Sequence, residues 1–276
     1  MRTGEDLEVR GQCALCLRDE ILMDSHLLPK ALYRFVRAAD GSPIVLNRHA
    51  AWITDKQITK HLLCAACEER FHRHGEDWTL RQIYRGERRF RLLDVLNRCT
   101  PVAENSQIAV YALSDLPDIL IDDLSYFAVS VFWRSSATDW QIVDHKLPRP
   151  TFGPKYMAAF SEYLLGNAGF PSDVSLLIEV CDGPTTAANM LIFPIGTVAA
   201  GYDRYDFMVP GVLFRLFVGE NIPVELRSCC IVTGDHPVVS RRNYEQLIYS
   251  RLALLSETAR ISKRLKDEMS GPPFRM

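Results

Sequence analysis

The chain has 276 residues, enough for about two domains of ordinary size. Its composition, 47% hydrophobic and 24% charged, is typical of a globular protein and excludes a mostly disordered one. The 32 Lys and Arg residues against 34 Asp and Glu residues give a formal net charge of −2. This balance excludes a globally basic polyanion-binding protein, but it leaves room for a local basic patch.

The N-terminal residues and the apolar runs indicate the cellular compartment of the protein. The N-terminal residues lack the apolar segment of a secretory signal peptide. The apolar run at residues 211–219 is too short to cross a bilayer, and it contains a charged residue. We therefore expect a cytoplasmic protein with no membrane partner, in which thiols stay reduced. Its eight cysteines are then expected to be metal ligands or buried thiols.

Two C-x2-C pairs are the strongest motif near the start of the chain. The pairs are Cys13 with Cys16 and Cys64 with Cys67. Two such pairs typically close a tetrahedral zinc site of four thiolates, which stabilises a fold and leaves no open position for catalysis. The 47 residues between them suit a treble-clef zinc module with an inserted element. The alternative is a set of four buried or redox-active thiols.

The residues beside these knuckles carry a family resemblance. Ser25-His26-Leu27-Leu28-Pro29 follows the first knuckle, and His72 and Gly75 follow the second. This order of motifs resembles the HNH endonuclease superfamily, which has a zinc-stabilised treble-clef (ββα-metal) core. The SH-x-x-P element, with the segment FAVSVFWR at residues 127–134, is also similar to a group of bacterial proteins of unassigned function.

The resemblance implies a role for each matched residue. His26 would be the general base that activates water, and His72 would help to hold Mg²⁺ or Mn²⁺ on the scissile phosphate, with His74 as its substitute. Ser25 stands where the family has a metal-binding Asp or His, so Glu68 could supply the missing carboxylate. The family's central Asn has no clear counterpart, and Gln57 and His61 are the nearby candidates. The alternative role for His26 is to pack beside the knuckle or to cap a helix.

A basic, aromatic-interleaved stretch follows the second knuckle. If this stretch is helical, four arginines fall near one face and could grip the phosphates of a nucleic acid: Arg81, Arg85, Arg88 and Arg89. The alternative is a solvated helix face paired with nearby carboxylates.

The remainder of the chain differs in charge and in pattern. Residues 1–100 hold 17 basic and 14 acidic side chains, whereas residues 101–276 hold 15 and 20. Helices are predicted at residues 122–135, 154–165 and 242–266, and β-strands at residues 174–181, 190–198, 212–218 and 229–233. These patterns predict an α+β protein, with a treble-clef zinc module and its basic helix in residues 1–100. A larger mixed domain with an antiparallel sheet follows in residues 101–276.

We therefore expect a metal-dependent HNH-type endonuclease that hydrolyses DNA, with structural Zn²⁺ and catalytic Mg²⁺ or Mn²⁺. A part in bacterial defence against foreign DNA is a further expectation from the resemblance. One alternative is a non-catalytic zinc module with a degenerate HNH site that binds nucleic acid or protein. Another is a regulatory protein whose larger domain senses a ligand. Residues 101–276 could serve specificity, regulation, a protein partner or a homodimer contact.

Overall fold

A computed structural model describes residues 8–37, 44–46, 50–53, 57–85, 90–142, 145–147, 150–183, 190–199, 201–243 and 260–261. The helices are α1 Lys30–Arg37, α2 Ala65–Phe71, α3 Asp77–Gln82, α4 Arg91–Leu96, α5 Ile121–Ala137, α6 Pro154–Leu165 and α7 Val224–Ser228. A π-helical turn, His72–Glu76, joins α2 to α3, and a 3₁₀ turn spans Leu113–Asp115.

The first eight strands are β1 Arg10–Gln12, β2 Asp19–His26, β3 Ile44–Leu46, β4 Ala50–Ile53, β5 Thr59–Cys64, β6 Ala103–Glu104, β7 Ile108–Ala112 and β8 Gln141–Ile142. The others are β9 His145–Lys146, β10 Val174–Cys181, β11 Leu191–Ala199, β12 Tyr202–Val209, β13 Val212–Val218, β14 Val238–Arg242 and β15 Arg260–Ile261. The protein is α+β, as predicted from the sequence.

The strands form a small sheet near the start of the chain, a large sheet and a two-stranded ribbon. The small sheet has the order β1-β2-β5 and is antiparallel. The large sheet has the order β15-β4-β3-β11-β12-β13-β10-β14-β7-β6, and β8 pairs with β9. The large sheet is mixed rather than wholly antiparallel, because β10–β14, β11–β3 and β15–β4 are parallel pairs.

Two predicted elements in the second part are wrong. Residues 229–233 form turns instead of a strand. Of these residues, Val232 makes an isolated bridge to Leu176 and Thr233 has a φ of +67°. The predicted helix at residues 242–266 is wrong where the structure describes it, because Arg242 closes β14 and Arg260–Ile261 forms β15. Residues 262–266 lie outside the described part. The residues between Asn243 and Arg260 lie outside the described part.

Helix α5 contacts both the π-helical turn that follows α2 and the large sheet. It is buried on all sides from Leu124 to Ser135, as expected for a helix in the interior of a protein. One side approaches the π-helical turn at Gly75, and another packs Phe132 against Phe207 of β12 with ring centroids 4.8 Å apart. In a third contact, the indole N–H of Trp133 donates a hydrogen bond to the hydroxyl of Ser161 on α6.

The hydrophobic core runs from the knuckles to the large sheet without a break. The same buried cluster contains Cys67 and Phe71 of α2 and Phe214 of β13. Strand β3, which lies between the two knuckles in sequence, pairs with β11 of the large sheet. The division into domains 1–100 and 101–276 stays a prediction.

Candidate metal centre and its surroundings

The four predicted cysteine ligands meet at one point. The sulfur atoms of Cys13, Cys16, Cys64 and Cys67 all lie within 4.8 Å of one another. The Sγ atoms of Cys16 and Cys64 are 3.8 Å apart. A tetrahedral zinc ion with Zn–S bonds of about 2.3 Å requires S–S separations of about 3.8 Å. The group can therefore hold a metal ion such as zinc, and the prediction that these four cysteines cluster is confirmed.

A tight turn and a strand end bring these sulfurs together. Cys13 donates its N–H to the carbonyl of Arg18 (2.8 Å), and Leu17 donates to the carbonyl of Cys13 (2.9 Å). The turn needs a left-handed residue, and Leu17 supplies it with a φ of +60°. Cys64 ends β5 and precedes α2, and its N–H points at Cys13 Sγ from 3.3 Å. The cysteine cluster is therefore built from a turn, an antiparallel strand pair and the start of a helix.

The thiols differ in their tendency to ionise. Burial opposes ionisation of Cys13, but N–H donors from Cys16, Cys64 and Leu15 outweigh it and lower its pKa to about 7. Burial raises the pKa of Cys67, and the adjacent charge of Cys13 raises it further. Burial likewise raises the pKa of Cys64. One thiolate therefore forms readily, and a bound cation would stabilise the others as thiolates.

His26 lies at the end of β2 and is held by Gln57. Its Nε2 atom is 2.7 Å from Gln57 Oε1, and both side chains are half-buried. An amide oxygen can only accept, so Nε2 is the donor in this contact, and in the neutral ring Nδ1 then keeps its lone pair. Gln57 was one of two candidates for the missing central Asn. The other, His61, is exposed and has its Nδ1 atom 3.2 Å from the carbonyl of Leu22.

Ser25 has a structural contact in place of a ligand role. Its side chain is 1% exposed, and its hydroxyl accepts the Leu63 N–H at 3.1 Å while donating to the carbonyl of Met23 at 3.4 Å. The neighbouring Asp24 is exposed. The hydroxyl of Ser25 therefore joins β2 to β5 within the small sheet.

The other predicted catalytic residues lie on the helix that follows the second knuckle. Glu68 is half-buried on α2, and its Oε1 atom is buried without a hydrogen-bond partner. His72 and His74 are exposed on the π-helical turn, and the His74 ring lies 5.5 Å from that of Tyr126. In the part of the chain that the structure describes, the four cysteines are the one group of three or more potential ligands close enough to share a metal ion. The catalytic roles stay predictions.

The helix that carries Arg81 does not extend to Arg85. Helix α3 ends at Gln82, because Ile83 has an extended backbone, so the condition that the stretch be helical is not met at Arg85. Arg81 is paired with Asp77 at 2.7 Å, and the Arg85 guanidinium lies over the ring of Phe35 at 4.5 Å. Both arginines are exposed. Arg88 and Arg89 lie outside the described residues.

The sequence did not predict a buried ion pair whose arginine contacts the backbone of His26. Arg134 of α5 is 1% exposed, and its Nη1 atom donates to the carbonyl of His26 at 3.1 Å. Its Nη2 atom is 2.5 Å from Glu76 Oε1. The sequence feature that could have indicated this ion pair is the arginine at the end of the run FAVSVFWR.

None of the helices in the described part of the chain combines the length and the apolar character that a membrane span requires. Comparisons with known protein families, with curated proteins and with solved structures give no match.

Proposed function

We propose that the protein is a zinc-stabilised, metal-dependent endonuclease of the HNH type that hydrolyses phosphodiester bonds of DNA. The observation that carries the proposal is the pairing of His26, at the end of β2, with Gln57. Strand β2 pairs with β5, which ends at Cys64 of the four-cysteine group. A role in defence against foreign DNA would follow from such an activity. The proposal assigns zinc to the four cysteines, where it fixes the geometry and takes no part in the reaction.

The hydrogen bond to Gln57 gives His26 the form that a general base needs. With the proton on Nε2, the unprotonated Nδ1 is free to take a proton from an attacking water. The half-buried position limits the ring's motion while leaving it open to substrate.

Charge neutralisation on the phosphate needs a second group. Glu68 and His72, with His74 as a substitute, are the residues that would hold a divalent cation, since the buried Oε1 atom of Glu68 lacks a partner. Bound Mg²⁺ or Mn²⁺ would neutralise the developing charge on the phosphate. Arg81 and Arg85 are exposed on the chain that follows and would contact flanking phosphates.

The second candidate is a zinc module that binds nucleic acid or protein without cleaving it. The side chain of Ser25 favours this candidate. A buried hydroxyl bonded to the backbone of Leu63 is not available to hold a metal ion, and the family places a ligand at this position. In this case His26 would be a structural residue.

Supercoiled plasmid DNA incubated with Mg²⁺ or Mn²⁺ at low salt separates the two candidates. Our proposal predicts nicked and linear products from the wild-type chain, none in the presence of a chelator of divalent cations, and none from His26→Ala. Salt-dependent retention of DNA without any product would favour the second candidate. Absence of both products and binding would contradict both nucleic-acid roles.

A further inference from the structure

The guanidinium of Arg134 is buried and satisfied by contacts with three different elements. Nη1 donates to the carbonyl of His26 at 3.1 Å, and Nη2 is 2.5 Å from Glu76. Nε donates to the carbonyl of Ser130, one turn earlier in α5, at 3.3 Å. The ring of Phe71 lies 5.1 Å from the guanidinium carbon. The end of β2, the π-helical turn and α5 therefore all meet at this one side chain.

Stability alone gives a weak reason for such a pair. Removing two charges from water is costly, and a buried ion pair can often be replaced by apolar residues of similar size without loss of stability. An apolar pair cannot reproduce the directional hydrogen bonds that a guanidinium donates. The planar fork of arginine donates from two nitrogens at once in fixed geometry, so it locks its acceptors relative to each other.

The backbone around Glu76 lies close enough to α5 for the Glu76 carboxylate to reach the guanidinium of Arg134. Glu76 closes the π-helical turn, and its side chain is 14% exposed. Gly75 precedes it, and a Cβ atom at this position would lie 2.7 Å from the backbone N of Phe127. The turn can approach α5 this closely because it presents a glycine. Helix segments of the π type are rare and often occur at functional sites.

We propose that Arg134 is a positioning residue for His26. By holding the carbonyl of His26 it fixes the backbone where β2 ends, and Gln57 then fixes the ring through Nε2. Together they point the Nδ1 lone pair in one direction, and Glu76 keeps the guanidinium in place. This inference rests on the proposed function for its catalytic meaning, but the positioning itself can be observed without activity.

The test compares the full chain with the double variant Glu76→Gln/Arg134→Met. This variant removes both charges together, so neither is left buried and unpaired. The matched control is Asp173→Asn/Lys155→Met, which removes an ion pair between α6 and the residue before β10. This pair contacts neither His26 nor Gln57. ¹⁵N NMR of the imidazoles reads the tautomer of His26, and plasmid cleavage reads kcat and KM separately.

The wild-type chain and the control should show a single Nε2–H tautomer for His26. The double variant should show a mixture of tautomers, and its kcat should fall by roughly 10- to 100-fold with KM nearly unchanged, because the base is misplaced. If the double variant does not fold, Arg134→Lys replaces it. Its single amine cannot bridge both partners, and the same mixture is expected.

A folded double variant with the wild-type His26 spectrum would overturn the proposal. So would Arg134→Lys with that spectrum, if the double variant does not fold. Should the wild-type chain not cleave DNA at all, the proposed function fails, and the NMR comparison still decides whether Arg134 positions His26. Should cleavage be found and be equal in the wild type and the double variant, the endonuclease stands and the positioning role fails.

Discussion

At the scale of single residues, Ser25 shows how a small polar contact limits the proposed chemistry. Its hydroxyl is buried between β2 and β5 and accepts the N–H of Leu63. A carboxylate in the same place would be a buried charge, which is costly unless it is paired. The proposed cation must therefore depend on Glu68 and His72 on the helix rather than on the residue before His26.

Replacing Ser25 by Ala should destabilise the chain by about 1–3 kcal/mol, because the buried N–H of Leu63 loses its acceptor. The measurement is the free energy of unfolding in urea. Ser114→Ala is the matched control, since the hydroxyl of Ser114 is exposed and bonds to Asp115; it should change stability by less than about 0.5 kcal/mol. Equal stability of both variants would contradict the role given to Ser25.

At the scale of elements, the contact between the π-helical turn and α5 holds the helix that follows the second cysteine pair against the interior of the protein. Gly75 makes this contact possible, because a Cβ atom there would lie 2.7 Å from the Phe127 N atom and 3.0 Å from the Asp123 carbonyl oxygen. Both of these neighbours are backbone atoms of α5, which cannot move aside as a flexible side chain can.

Gly75→Ala should therefore destabilise the protein, even though alanine favours a helix more than glycine does. Overpacking of this kind typically costs 1–3 kcal/mol. The thermal midpoint of unfolding should fall for this variant and stay nearly constant for Gly169→Ala, since a Cβ atom at Gly169 would meet nothing within 4 Å. A rise in the midpoint for Gly75→Ala would show that the π-helical turn and α5 are farther apart than these distances.

The elements that could be predicted were those with strong local signals. Helix α6 begins at Pro154 and ends before Gly166, whose φ of +78° is the usual left-handed cap. Strand β12 was missed, because its charged residues resemble a loop. In the fold they form cross-strand ion pairs, such as Asp206 with Arg215 at 2.9 Å. Such compensation depends on which strands are neighbours, and a sequence pattern does not show that.

At the scale of the whole molecule, the metal centre and the large sheet share one hydrophobic core. Binding of a metal ion to the folded chain alone therefore stabilises the entire protein by mass action. A zinc chelator should lower the thermal midpoint of unfolding, and re-addition of Zn²⁺ should restore it. A midpoint that does not respond to chelation would show that the four thiols do not hold a stabilising metal.

Metal content offers a separate prediction about which cysteines bind. The purified chain should contain about one zinc ion, and Cys67→Ser should lose it because a tetrahedral site needs all four thiolates. Cys229→Ser is the matched control: Cys229 is exposed and lies outside the cysteine group. Its zinc content should equal that of the wild type. Loss of zinc from both variants, or from neither, would contradict the assignment.

The site was only partly visible in the sequence. The spacing of the cysteines fixed the metal centre, and a short motif singled out His26, because both signals are local in the chain. The partners of Arg134 are 58 and 108 residues away from it, at Glu76 and His26. An arginine at the end of an apolar run gives no sign of partners at such distances.

The most direct test of the central claim is the single-turnover rate of DNA cleavage with Mg²⁺ or Mn²⁺ for His26→Ala beside His61→Ala. A general base contributes about 10²- to 10⁴-fold to a rate, so His26→Ala should lose that much. His61 is exposed and contacts the carbonyl of Leu22, and its replacement should leave the rate within about twofold of the wild type. Cleavage by His26→Ala at the wild-type rate would contradict the claim.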